Sequence, residues 1–71
     1  MDKRKLRRYL SMYGNEMKRA RKNKNMAQWE VAMDTGINQS IICNIEQGFY
    51  FPSEYMERKL IKEYGIEEIG V

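Results

Sequence analysis

Gln39, Ser40 and Asn44 carry short, uncharged side chains that can both donate and accept hydrogen bonds, and they fall within one stretch of chain, residues 39–47. At helical spacing, the first turn and the position one turn later share a face, so the three groups would project together. Glutamine and asparagine amides can pair bidentately with the N6 and N7 edge of adenine. The chemistry these residues suit is readout of base edges, with A·T-containing sites expected. Ile41 stands among them and admits two readings, a contact to a thymine methyl or an extension of the core. Gln28 begins the preceding helical pattern, where an amide beside the positive end of a helix suits a phosphate oxygen.

Such a face works only if a second element holds it rigidly. Val31 and Ala32 fall on the inner side of a short helical pattern over about 28–35, and the small Ala32 allows another helix to cross closely. Gly36 then ends that pattern. Without a Cβ it can take the left-handed conformation of a tight reversal, at which other residues are strained by about 1–2 kcal/mol. Ile37 tucks beneath the turn, and Ile42 with Ile45 forms the buried stripe of the next helix. Asn38 suits the N-cap of that helix, a phosphate contact, or both. The whole window describes a helix-turn-helix.

Residues 13–69 resemble the lambda-repressor-like helix-turn-helix family, of Cro or XRE type. The resemblance implies that Arg21 and Glu46 form a partly buried ion pair tying the first helix to the end of the recognition helix. Gly48 follows as a C-cap, Pro52 opens the next helix, and Tyr64-Gly65-Ile66 stands where the closing helix turns. By the same resemblance, Gln28 is a phosphate-contacting residue and Trp29 points outward. Packing by the N-terminal segment is the expected fate of that indole. The chain departs from the family at Phe49-Tyr50-Phe51, where related proteins carry lysine or arginine against the phosphate backbone. Three consecutive aromatics in a loop cannot all face inward: packing over Pro52 and the fourth helix accounts for one or two, and the remainder points to a dimer or protein-partner surface.

Charge is strongly polarised along the chain. Residues 1–24 hold ten lysines or arginines against two acids, a net +8, whereas residues 25–71 hold three against eight, a net −5. Lys18, Arg19, Lys22 and Lys24 are candidate phosphate contacts. Lys3, Arg4, Lys5, Arg7 and Arg8 form a basic N-terminal arm that could grip the backbone or the minor groove. A polyanion would be drawn to this half, with an affinity that falls as salt rises.

The chain reads as all-α, a compact domain of five helical elements without strands. Residues 1–12 are expected to be an arm, partly helical or disordered, because Gly14 interrupts the stripe Leu6, Tyr9, Leu10, Tyr13 and Met17. The domain then spans 13–71. Its first helix covers about 13–24, and the next two about 28–35 and 39–47. A fourth follows Pro52, and a last short turn is expected at Ile66 and Ile69. Ala27 forgoes the N-cap hydrogen bond usual before the second helix, a loss of roughly 1 kcal/mol.

Several function classes are disfavoured. One cysteine and no histidine give neither a disulfide framework nor a tetrahedral zinc site, so no metal or cofactor is expected and a reducing, cytoplasmic setting fits. Cys43 has no histidine, lysine or arginine beside it in the sequence to lower its pKa, and reads as inert. No paired carboxylates, phosphate-cradling glycine loop or activated nucleophile argues for an enzyme. No apolar run reaches the roughly 20 residues that cross a bilayer. The leading expectation is a sequence-specific, DNA-binding transcriptional regulator of phage-repressor or Cro type, acting as a homodimer on an inverted-repeat operator in double-stranded DNA. The alternative is a protein-interaction module on the same fold, using Trp29 and the Phe49-Tyr50-Phe51 loop.

Overall fold

The computed structural model describes residues 2–66, which form four helices and, among these residues, no strand. Helix α1 spans Lys3–Asn23, α2 Gln28–Thr35, α3 Gln39–Glu46 and α4 Glu54–Tyr64. Of the fifth element expected at Ile66 and Ile69, only Ile66 is described, and it packs against the core. The remainder lies outside the described residues.

The first helix differs most from expectation. It begins at Lys3 and runs unbroken through residues 12 and 13, where an arm was expected to give way to the domain. Asp2 caps it, its carboxylate accepting the Arg4 N–H at 2.8 Å, and the Lys, Arg, Leu and Met that follow are good helix formers. Gly14 does not interrupt the helix. It is buried, and a Cβ built there would collide with the carbonyl oxygens of Ile45 and Glu46, the latter at 2.7 Å. The glycine is therefore a contact point that lets α1 lie directly on the last turn of α3. At about 1.5 Å per residue, α1 is roughly 31 Å long, close to the molecule's longest dimension of 35 Å.

Every helix contributes to one core. Tyr13, Met17 and Ala20 of α1, Val31 of α2, Ile42 and Ile45 of α3, and Leu60 and Tyr64 of α4 form one buried cluster with Ile37 from the turn. Met26, Ala32, Ile41 and Met56 pack around this cluster. Ile41 is half-buried, one side on this core and the other open to solvent. The Tyr13 hydroxyl donates to the Glu57 carboxylate and links α1 to α4. Burial, followed by the bond to Glu57, raises the Tyr13 pKa well above the ordinary tyrosine value.

Helix ends follow their local sequence. Asn25 takes a positive φ of 56° after α1, and Ser53 Oγ caps α4 by accepting the Met56 N–H at 3.2 Å. Ala27 supplies no side-chain cap for α2. Glu30 offsets part of that loss, because its carboxylate reaches back to the Ala27 N–H at 2.8 Å.

Candidate nucleic-acid interface

The turn between α2 and α3 determines how the candidate reading helix is aimed. Gly36 adopts φ 76°, ψ 5°, and its N–H bonds to the Ala32 carbonyl at 2.9 Å. Thr35 braces the same corner by donating its hydroxyl to the Val31 carbonyl at 2.7 Å and accepting the Ile37 N–H at 3.2 Å. Lys59 reaches across from α4 to the Thr35 carbonyl at 3.1 Å, meeting an acceptor that the helix end leaves open. Asn38 caps α3, its Oδ1 accepting both the Ser40 N–H at 2.8 Å and the Ser40 hydroxyl at 2.5 Å.

At its far end α3 closes with a Schellman motif. The Phe49 N–H reaches the Asn44 carbonyl at 2.8 Å and the Gly48 N–H reaches Ile45 at 3.1 Å, with Gly48 at φ 81°. A Cβ on Gly48 would also press on the Ser11 backbone at 3.1 Å. Both ends of α3 are thus fixed, one by the turn and the other against α1.

With Ile42 and Ile45 buried, Gln39, Ser40 and Asn44 are exposed and line one shallow concavity together with Gln28 and Cys43. Gln28 comes from the start of α2, so the concavity joins both helices of the motif. Cys43 was read from sequence as inert and belongs to this rim. Its i, i+4 spacing from Gln39 is the signal that places it there.

Beneath this surface lies an ion pair. Arg21 Nε is 2.7 Å from Glu46 Oε2 and Nη2 is 3.0 Å from Oε1, a two-pronged contact with both residues buried. Arg21 Nη1 also donates to the Met26 carbonyl at 2.7 Å. The hydrogen bond to Glu46 raises the Arg21 pKa, so the guanidinium stays charged despite partial desolvation.

A sequence profile described as a helix-turn-helix domain matches residues 14–69, most of the chain. The chain belongs to this helix-turn-helix family, of Cro or XRE type. Neither the curated proteins nor the solved structures supply a match. Membership makes the chain a DNA-binding helix-turn-helix, and α3 occupies the recognition-helix position.

The basic residues of this helix-turn-helix are not equivalent. Lys18 and Lys22 are exposed on α1. Arg19 pairs with Glu16 at 3.0 Å, an exposed contact of about 0–1 kcal/mol that a phosphate could replace. Lys24 leans toward the C-terminus of α4, where a Cβ on Gly65 would meet its Nζ at 3.0 Å, and the negative end of the helix dipole favours it there. Lys3, Arg4, Lys5, Arg7 and Arg8 all lie on α1 and are exposed.

Trp29 is 57% exposed, and the N-terminal segment does not cover it. That segment packs instead on the aromatic loop of the helix-turn-helix. Phe51 lies 4.6 Å from Tyr13 and 5.9 Å from Tyr9, centroid to centroid, and the Arg7 guanidinium sits 5.0 Å from the Phe49 ring. Sequence reasoning missed this match because it treated residues 1–12 as separate from the domain.

Proposed function

We propose that the protein is a sequence-specific transcriptional regulator of repressor or Cro type. In this reading α3 enters the major groove, and the chain pairs with a second copy on an inverted-repeat operator in the cytoplasm. Gln39 and Asn44 read base edges, Ser40 accepts or donates from its capped position, and Cys43 offers a small apolar contact at the rim. Gln28, Asn38, Lys18, Arg19 and Lys22 hold phosphates. Lys24 is the weakest member of that set because of its position over α4.

One observation carries the reading: the exposed side of α3 is built of neutral hydrogen-bonding groups around a concavity that includes the start of α2. A recognition helix without bases of its own leaves affinity to the surrounding cations and specificity to the amides. The interaction-module alternative rests on Trp29 and the Phe49-Tyr50-Phe51 loop, of which Phe49 and Phe51 contact α1 while remaining 58% and 44% exposed.

Selection from a random duplex library, followed by sequencing, tests the proposal. An enriched palindromic sequence is expected, bound more tightly than its scrambled counterpart and less tightly as salt rises. Equal affinity for every duplex would refute sequence-specific regulation.

A further inference from the structure

The segment Lys3–Met12 is ordered helix with five basic residues and no acid, and the Asp2 carboxylate just before it caps the helix. Its base is firmly seated. Gly14 lies against the last carbonyls of α3, Ser11 against Gly48, Tyr9 against Phe51 and Arg7 over Phe49. Arg4, Arg7 and Ser11 follow at i, i+3 and i+7, so the two arginines share the side of the helix that faces the Gly48–Phe49 corner.

We propose that this extension is a second DNA-contacting element, with Arg4, Arg7 and Arg8 lying along the phosphate backbone beside the bases that α3 reads. The inference rests on the regulator reading and deepens it. It assigns a role to the aromatic loop as well. Phe49 and Phe51 form the seat that holds the basic helix at the C-terminal end of α3.

Geometry and charge narrow the occupant of this surface. A helix about 10–12 Å across cannot enter a minor groove about 6 Å wide, so an ordered extension must follow the backbone. A second copy packed on the same face would bring two clusters of five cations together, whereas a duplex presents one negative charge per 1.7 Å or so of axis. Beyond Arg7, residues Lys3–Leu6 extend the helix by about 6 Å, which lengthens the contacted backbone by roughly two base pairs.

The test compares the full chain with the triple variant Arg4→Gln, Arg7→Gln, Arg8→Gln on the selected duplex across a salt series. Glutamine preserves helix propensity, which helical circular dichroism checks. The slope of log affinity against log salt is expected to become shallower by about 2–3, at roughly 0.9 per phosphate contact, with base preference unchanged. A second variant, Phe49→Leu, keeps the loop apolar but removes the ring beneath Arg7, and should weaken binding about two- to five-fold. If the wild type and the triple variant bind with the same slope, the inference fails and the regulator reading stands. An unchanged slope with altered self-association in sedimentation would likewise overturn it and assign the face to a second copy. A wild-type chain that binds no duplex would overturn both.

Discussion

The Gln28 amide donates to Glu46 Oε1 at 3.1 Å, so the residue that opens α2 is fastened to the carboxylate that ends α3. One amide proton is thereby used and the other remains for a phosphate. Glu46 also accepts both prongs from Arg21, so a single buried carboxylate organises three elements. Glu46→Ala should cost about 3–5 kcal/mol, because it strands the Arg21 cation with the Met26 carbonyl as its remaining partner here. At roughly 0.05–0.15 kcal/mol per residue, a domain of this size has about 4–11 kcal/mol in all, so the loss is a large share of it. Replacing both partners together, Arg21→Met with Glu46→Leu, should recover much of the loss. Urea denaturation measures both, and a single-variant loss below about 1 kcal/mol would mean that the pair does not hold α3 to α1.

Gly14→Ala offers a test with an unexpected sign. At an exposed helical site the change stabilises by up to about 1 kcal/mol through propensity. Here the added methyl meets backbone carbonyls of Ile45 and Glu46, which cannot move without shifting the recognition helix. A net loss of about 1–3 kcal/mol is expected. The exposed neighbour Asn15 provides the control, since Asn15→Ala should gain a few tenths of a kcal/mol. Thermal unfolding that ranks Gly14→Ala above wild type would show that the close approach is not real.

How much was legible follows from how local each determinant is. Gly36, Asn38 and the Ile42 and Ile45 stripe act within a few residues of themselves, so the turn and its two helices could be read directly. Gly14 could not be read this way. Its role depends on carbonyls of a helix far along the chain, whereas local propensity treats any glycine as a break. The same limit applied to the aromatic loop, whose contact partners Arg7 and Tyr9 lie in a segment assigned to an arm. Trp29 was expected beneath that arm. The arm is the first part of α1, contacts Phe49 and Phe51, and leaves the indole exposed.

Base readout and phosphate contact make different demands on affinity. Asn44→Ala should change preference at one base-pair position, costing about 1–3 kcal/mol there and little elsewhere. Lys22→Ala should weaken binding to every duplex alike and make the salt dependence shallower by about one unit. Affinities for the selected duplex and its single-position variants separate the two. Uniform losses in both variants would remove Asn44 from the reading surface.

A pH dependence is expected far from this face. Asp34 on α2 and Glu63 on α4 line a cleft with Thr35, Lys59 and Lys62. A hydrogen bond to Asp34, then burial, then the Asp34 charge raise the Glu63 pKa above the usual carboxylate value. A carboxyl whose folded pKa is raised binds its proton more tightly in the folded state. Its favourable contribution is full below the unfolded value and is lost as pH climbs through the folded one. At neutral pH the two carboxylates repel, with Lys59 and Lys62 offsetting part of that repulsion. Glu63→Gln should therefore raise the unfolding midpoint at pH 7, and its advantage over wild type should shrink as the solution is acidified through the usual carboxylate range. A difference of constant size at every pH would show that Asp34 and Glu63 do not share a proton.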